Sequence, residues 1–198
     1  MRVYQSENTE IGGAFMKKPT EMLSEEHQHI LKVIDAMETE CGSIESGKAV
    51  DSEFFRDAVD FIRNYADRFH HSKEEDILFK ELCKDTVQLH CNPVEQMLYE
   101  HDLGRKFVKG IEEGLKKGSK TKVVENARGY SELLREHIYK EDNVLYPMAD
   151  MALGNEAQKS MIKKFKEAEE KKFSKGTKER YLDIANKLGR RNTRRKTG

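Results

Sequence analysis

Tryptophan is absent from this chain of 198 residues, and only three prolines occur in it. Apolar runs are short. None approaches the roughly 20 residues that span a bilayer, and the N-terminal region lacks the uninterrupted apolar stretch of a signal peptide. We therefore expect no membrane association and a cytoplasmic location.

Cysteine is also scarce. The three cysteines, Cys41, Cys83 and Cys91, are an odd number and show no CxxC spacing. A disulfide framework needs pairs, and a thiolate zinc site needs closely spaced cysteines. We therefore expect neither, and interpret these thiols as buried or bystander side chains.

Charge, in contrast, is abundant. Asp, Glu, Lys and Arg make up 36% of the residues, and the two signs balance to a formal net charge of zero. Lys, Glu, Leu and Ala recur while glycine and proline are sparse, a composition that favours helices over strands. The length fits one domain with a core and an appended segment. We predict an all-α protein.

Three segments can be distinguished along the chain. Residues 1–18 are polar and aperiodic and are expected to form a loose leader. Residues 19–153 carry four amphipathic helical patterns, and residues 154–198 carry two shorter ones that end in a basic tail. This extension could pack on the other helices, contact a second copy or a protein partner through residues 155–198, or lie loosely. The basic run lacks aromatic residues, so we do not expect nucleic-acid binding.

The first two patterns each place a histidine within an apolar seam. In the first, His27 lies between apolar residues that recur at steps of three and four. In the second, at the 100° rotation per residue of an α-helix, His70 and Glu74 share the apolar face one turn apart. Their neighbours His71 and Glu75 rotate to its edge and beyond, so we interpret them as a surface pair.

The third and fourth patterns repeat the arrangement. His101 lies in the middle of the third apolar face, and His137 with Glu141, again one turn apart, occupies core positions of the fourth. Glu26 and Glu100 each precede one of the core histidines. We interpret them as surface charges, with a hydrogen bond to an imidazole as the alternative.

Six polar side chains would therefore converge in one helical core, at a desolvation cost on the order of several kcal/mol. A bound metal pair is the simplest compensation. The donors are nitrogen and oxygen only and outnumber those that one tetrahedral zinc needs. They favour two iron ions bridged by Glu74, Glu141 and an oxo or hydroxo group, with zinc or manganese as substitutes.

Four stretches, "EEHQHI", "FIRNYADRFHHSKEEDILF", "EHDLGRKFV" and "LLREHIYKEDNVLYP", resemble in order the helix motifs of the hemerythrin-like, or HHE cation-binding, family. The resemblance covers about residues 20–152. It implies an antiparallel, up-down-up-down four-helix bundle around a non-haem di-iron centre. It also implies six metal ligands: His27, His70, Glu74, His101, His137 and Glu141.

Two departures from the family pattern bear on function. Oxygen-carrying hemerythrins have a second histidine one turn further along the third helix, where this chain has Arg105. They also have an aspartate five residues after the helix-four histidine, where this chain has Asp142 but also Glu141 at the better-facing position. Arg105 could snorkel to the surface or offset carboxylate charge near the centre. A missing imidazole leaves a coordination position open or lets water fill it, which disfavours simple oxygen storage.

The sequence therefore predicts a di-iron protein that binds or reacts with dioxygen, peroxide or nitric oxide. Whether it turns over as an enzyme stays open. The alternative is a sensor of iron, oxygen or redox state that signals to a partner through the C-terminal extension, without turnover. A third interpretation is a structural bundle whose polar core is vestigial.

Overall fold

The computed structural model describes residues 17–84, 86–87 and 93–196, the last five of these by their backbone alone. The predicted leader lies outside the described residues except for its last two positions. Within these ranges the regular structure is entirely helical, which confirms the all-α prediction. None of the described helices combines the length and the hydropathy that crossing a membrane requires.

Six helices follow one another in the described part of the chain. Four of them are regular α-helices throughout: α1 (Pro19–Glu45), α3 (Val94–Lys117), α5 (Asn155–Lys172) and α6 (Thr177–Lys196). The other two change character along their length. Helix α2 runs through Ser52–Phe61, the π-helical stretches Ile62–His71 and Glu74–Leu78, and a last α-helical turn, Phe79–Leu82. Helix α4 runs through Lys120–Lys140, the π-helical stretch Glu141–Leu145, and Tyr146–Ala152.

Local sequence signals set several helix ends. Asp51 caps α2 by accepting a hydrogen bond from the backbone N–H of Phe54 at 3.0 Å. Helix α3 ends at Gly118, whose φ of +63° is readily adopted only by glycine at such a position. The next residue, Ser119, caps α4 through the backbone N–H of Lys122 at 3.3 Å. The turn between α3 and α4 is therefore short, and these helices pack along each other.

The core consists of two apolar clusters with a polar layer between them. The larger cluster includes Ile30 of α1 and Phe69 of α2, and the smaller one includes Leu23 of α1 and Leu78 of α2. Helices α3 and α4 likewise contribute apolar residues to both clusters. Along α1, α2 and α3 the predicted histidine lies between residues of the two clusters, for example His27 between Leu23 and Ile30. On α4, Glu141 lies between Ile138 of the larger cluster and Leu145 of the smaller one. The clusters therefore close off the layer from both ends.

The C-terminal extension packs on the other helices, the first of the three alternatives. Helix α5 contributes Met161 and Phe165 to the smaller cluster, while α6 contributes Ala185 and Leu188 to the larger one. Helix α6 contacts α1 and α2, and the ring of Phe173, just before it, completes the larger cluster. The extension is thus part of the folded core.

Candidate metal centre

The polar layer contains all six side chains that the sequence predicted as ligands, and each is at most 2% exposed. They come from helices α1 to α4: His27, His70, Glu74, His101, His137 and Glu141. Because the apolar clusters exclude water from them, their polar atoms must be satisfied by each other or by a bound ion.

The carboxylate of Glu141 lies between histidines of two helices. One oxygen is 3.3 Å from Nε2 of His27, and the other is 3.2 Å from Nε2 of His137. The π-helical turn that begins at Glu141 follows directly on the α-helix that carries His137. Such π-helical turns occur frequently at functional sites.

Glu74, like Glu141, lies between histidines of two helices. Its Oε2 lies 3.6 Å from Nε2 of both His70 and His101. Its Oε1 accepts a hydrogen bond of 2.5 Å from the hydroxyl of Tyr146. Tyr146 lies within the fourth motif, but its spacing alone does not mark it as a site residue. Each of the two inner carboxylates thus contacts histidines of two helices, the placement from which a carboxylate can bridge two ions.

The outer nitrogen, Nδ1, of each of the four histidines is within hydrogen-bond distance of a carboxylate on a different helix. The pairs and their Nδ1–oxygen distances are His70 with Glu26 (3.0 Å), His101 with Glu75 (2.7 Å), His137 with Glu100 (2.8 Å) and His27 with Asp142 (3.0 Å). Helix α1 therefore orients the histidine of α2, α2 that of α3, α3 that of α4, and α4 that of α1. With Nδ1–H donating outward, every Nε2 atom points to the centre, where it can bind either a proton or a metal ion.

The outer carboxylates are themselves anchored. Their partners are Lys73 for Glu26, Arg105 for Glu75, Lys140 for Glu100 and the hydroxyl of Ser24 for Asp142. Glu26 and Glu100 are only 5% exposed, so their interpretation as surface charges is wrong, and the hydrogen bond to an imidazole is what the structure contains. The sequence places them beside His27 and His101, but their bonds reach the histidine of the next helix.

Arg105, at the position of the missing histidine, offsets carboxylate charge. Its guanidinium donates to Glu75 at 2.6 Å, to Asp67 at 2.9 Å through Nε, and to Asp102 at 2.8 Å. These ion pairs hold the partly exposed side chain in place between α2 and α3. Of the two interpretations of Arg105, the structure therefore favours the one in which it acts near the centre.

The charges of the inner residues are strongly coupled in the metal-free protein. Burial alone would lower the pKa values of His27 and His137, but the carboxylates around them raise these pKa values to about 9 and about 10. Burial and the charge of Glu141 raise the pKa of Glu74 well above its usual range. Burial opposes ionisation of Glu141 too, but the adjacent His137 and His27 hold its pKa well below the ordinary value. Protons thus occupy the positions that cations would take.

His71 is buried rather than exposed, so its interpretation as part of a surface pair is wrong. It is 5% exposed, and its ring stacks on that of His101 with centroids 3.8 Å apart. Glu75, the other member of the pair, is half-buried and bonded to His101. The physical reason is the π-helical stretch Ile62–His71: it takes more residues per turn than an α-helix, so projection at 100° per residue fails from Ile62 onward.

A small cavity adjoins the histidines of α3 and α4. It offers about 20 Å³ to the centre of a water-sized sphere, room for one water or a diatomic molecule. The lining includes His71, His101, His137 and Tyr130. The hydroxyl of Tyr130 is buried without a hydrogen-bond partner among the described residues. Tyr130 stands two helical turns before His137, on the same face of α4.

The donor set suits a pair of metal ions. Two groups of donor atoms each lie within 4.8 Å of one another: His27, His70, Glu74 and Glu141 in one, and His71, His101 and His137 in the other. Among the described residues, Oε2 of Glu74 and both carboxylate oxygens of Glu141 are buried and accept no hydrogen bond of good geometry, although Nε2 atoms of His27 and His137 approach Glu141 to 3.3 and 3.2 Å. Buried carboxylate oxygens without a partner are costly unless a cation compensates them.

Comparison with known proteins agrees with this geometry. No match was found among curated proteins or among solved structures. The family model "Hemerythrin HHE cation binding domain" matches residues 18–149, about two thirds of the chain, and spans every helix that contributes to the polar layer. The chain therefore belongs to the hemerythrin HHE cation-binding domain family.

Proposed function

We propose that this protein is a non-haem di-iron protein that binds or reacts with dioxygen or a related small oxidant, peroxide or nitric oxide. Two iron ions, with an oxo or hydroxo bridge, would be held by six ligands: His27, His70, Glu74, His101, His137 and Glu141. Zinc or manganese could substitute. Helices α1 to α4 would form an antiparallel, up-down-up-down bundle over residues 19–153, to which residues 154–198 add the extension.

The observation that carries this proposal is the orientation of the imidazoles. Four buried histidines donate from Nδ1 to outer carboxylates, so that four Nε2 atoms and two inner carboxylates face one another. Ligating histidines in metalloproteins are usually held in this way. A vestigial polar core would have no need for four separately anchored imidazoles, since apolar replacement of such groups is often neutral or stabilising.

Iron held here would supply redox chemistry and an open coordination position for a small molecule. The chain's own residues would exclude bulk water and control protons. The hydroxyl of Tyr146 donates a hydrogen bond to Glu74. When the charge of Glu74 changes, this hydroxyl can donate to a neighbouring group instead. Tyr130 faces the cavity, where its hydroxyl is placed to donate to a molecule bound beside His101 and His137. The small volume of the cavity favours diatomic ligands.

The proposed function predicts a reaction with air. Protein loaded anaerobically with iron(II) should be colourless, and on exposure to dioxygen or peroxide it should develop the near-ultraviolet absorption of oxo-bridged iron(III). The measurement is an absorption spectrum before and after exposure, with zinc-loaded protein as the control that stays colourless. An iron-loaded protein whose spectrum is indifferent to dioxygen, peroxide and nitric oxide would contradict the proposed reaction.

A sensor is the second candidate, because the extension contacts the helices that carry the site. The ring of Phe173 stacks on Phe69, the neighbour of His70, with centroids 4.5 Å apart. Lys32 of α1, five residues after His27, donates to Asn186 of α6 at 2.8 Å. A change at the centre could therefore alter how firmly α6 is held, and a partner could recognise the result.

Limited proteolysis separates the sensor from a protein that only binds or reduces an oxidant. The sensor predicts that tryptic cleavage within residues 173–196 changes in rate between apo, reduced and oxidised protein, and that Phe173→Ala removes the difference. Identical digestion in all three states would rule out signalling through the extension.

A further inference from the structure

His71, which the sequence predicted at the surface, is a fifth buried histidine of the polar layer. The residue is only 5% exposed. Among the described residues, neither of its ring nitrogens has a hydrogen-bond partner. Buried ring nitrogens without partners are costly, because they lose their hydrogen bonds to water and gain none within the protein. Something absent from the chain itself is expected to satisfy at least one of them.

The surroundings of His71 resemble those of the other four buried histidines, except that its carboxylate comes from the same helix. Its Nδ1 is 3.5 Å from Oδ1 of Asp67, a carboxylate that Arg105 anchors through Nε at 2.9 Å and Nη2 at 2.7 Å. A shift of a few tenths of an ångström turns this approach into a hydrogen bond. The outer carboxylate, the anchoring cation and the buried ring thus follow the pattern of His101 with Glu75 and Arg105.

Arg105 connects the two histidines. The same guanidinium holds Glu75, which orients His101, and Asp67, which faces His71. Position 105 of α3 thus offers no imidazole of its own. Its arginine instead holds the carboxylate that faces the imidazole of His71 on α2. The substitution at position 105 and the inward position of His71 are therefore parts of one arrangement.

Distances place His71 with the second group of donors. A nitrogen atom of His71 lies within 4.8 Å of nitrogen atoms of His101 and His137. Two nitrogens bound to one metal at about 2.1 Å are separated by about 3 Å when adjacent and about 4.2 Å when opposite. His71 needs only a small tilt away from its stacked position on His101 to fall within these limits.

We propose that His71 is a seventh metal ligand, which binds the ion held by His101 and His137 and takes the place of an imidazole at position 105. This inference rests on the proposed metal pair. It makes the two ions unequal: one is held by His27 and His70, the other by three histidines.

The test counts ligating imidazoles in cobalt(II)-substituted protein. An imidazole bound to cobalt(II) gives a strongly shifted N–H proton resonance that disappears in D₂O, and the carboxylates on Nδ1 should protect these protons from rapid exchange. Wild-type protein is expected to give five such resonances and His71→Leu four. The matched control is His29→Leu, which removes a half-buried histidine of α1 beside Tyr65 and should leave five.

A second measurement follows cobalt(II) binding to the same variants. His71→Leu should weaken one of two binding steps at least 10-fold and leave the other unchanged, while His29→Leu should match wild type. Four shifted resonances in wild-type protein, or two unchanged binding steps in His71→Leu, would overturn the assignment of His71 even though the metal pair itself stands. Wild-type protein that binds no cobalt(II) or iron would instead overturn the proposed function.

Discussion

Replacing Glu141 by Gln is expected to abolish tight binding of the metal pair. This carboxylate lies 3.3 Å from Nε2 of His27 and 3.2 Å from Nε2 of His137, one histidine from each donor group. A neutral amide offers one oxygen in place of two and no charge to offset the cations. Substitution of groups that only orient ligands costs about 10–100-fold in affinity, so the loss here should exceed about 100-fold.

Iron content after desalting measures this effect. Wild-type protein should retain about two irons per chain, and Glu141→Gln one or none. The matched control is Glu136→Gln, which removes an exposed carboxylate from the same helix and should retain two. Asp142→Asn, which alters only the partner of His27 Nδ1, should fall between them. Glu141→Gln protein that still holds two irons tightly would contradict the role of this residue.

Removing the metal is expected to destabilise the protein, and more so as the pH rises. In the apo protein the pKa values of His27 and His137 stand at about 9 and about 10, above the 6.5 of an unfolded histidine. Each raised pKa stabilises the folded apo state fully below pH 6.5, and the contribution is lost as the pH rises through the folded value. The slope in between is about −1.4 kcal/mol per pH unit for each histidine.

In the loaded protein metal replaces these protons, so this loss of stability should disappear. Calorimetric melting between pH 6.5 and 8.5 should therefore show a difference in Tm between loaded and apo protein that widens with pH. At a metal concentration 1,000 times Kd the difference in unfolding free energy is about 4 kcal/mol, or on the order of 10 °C in Tm. A difference that narrows with rising pH would contradict protons and metal competing for the same atoms.

Helical periodicity was sufficient to predict the six inner residues. Histidines and glutamates at core positions, one turn apart, can be recognised from spacing because an α-helix returns to the same face every three to four residues. The same reasoning failed for His71, since the π-helical stretch Ile62–His71 rotates less per residue than an α-helix and buries His70 and His71 side by side. The stretch "HHSKEE" contains two His–Glu pairs at the same spacing, His70 with Glu74 and His71 with Glu75. This repetition was the sequence signal that both pairs could face the core.

The outer carboxylates could not have been assigned to their partners from sequence. Glu26 adjoins His27 but bonds His70, and Glu100 adjoins His101 but bonds His137. These contacts depend on how neighbouring helices pack, which local spacing does not encode. The place of the extension was open for the same reason, because its short apolar patterns fit several surfaces equally well.

The most direct test of the metal pair is an anomalous difference map, recorded at the iron absorption edge from crystals of iron-loaded protein. Our account predicts two peaks in the polar layer of each chain, one adjoining Nε2 of His27 and His70 and the other adjoining Nε2 of His101 and His137, with Glu74 and Glu141 between them. A single peak, or iron bound only at surface carboxylates, would contradict it.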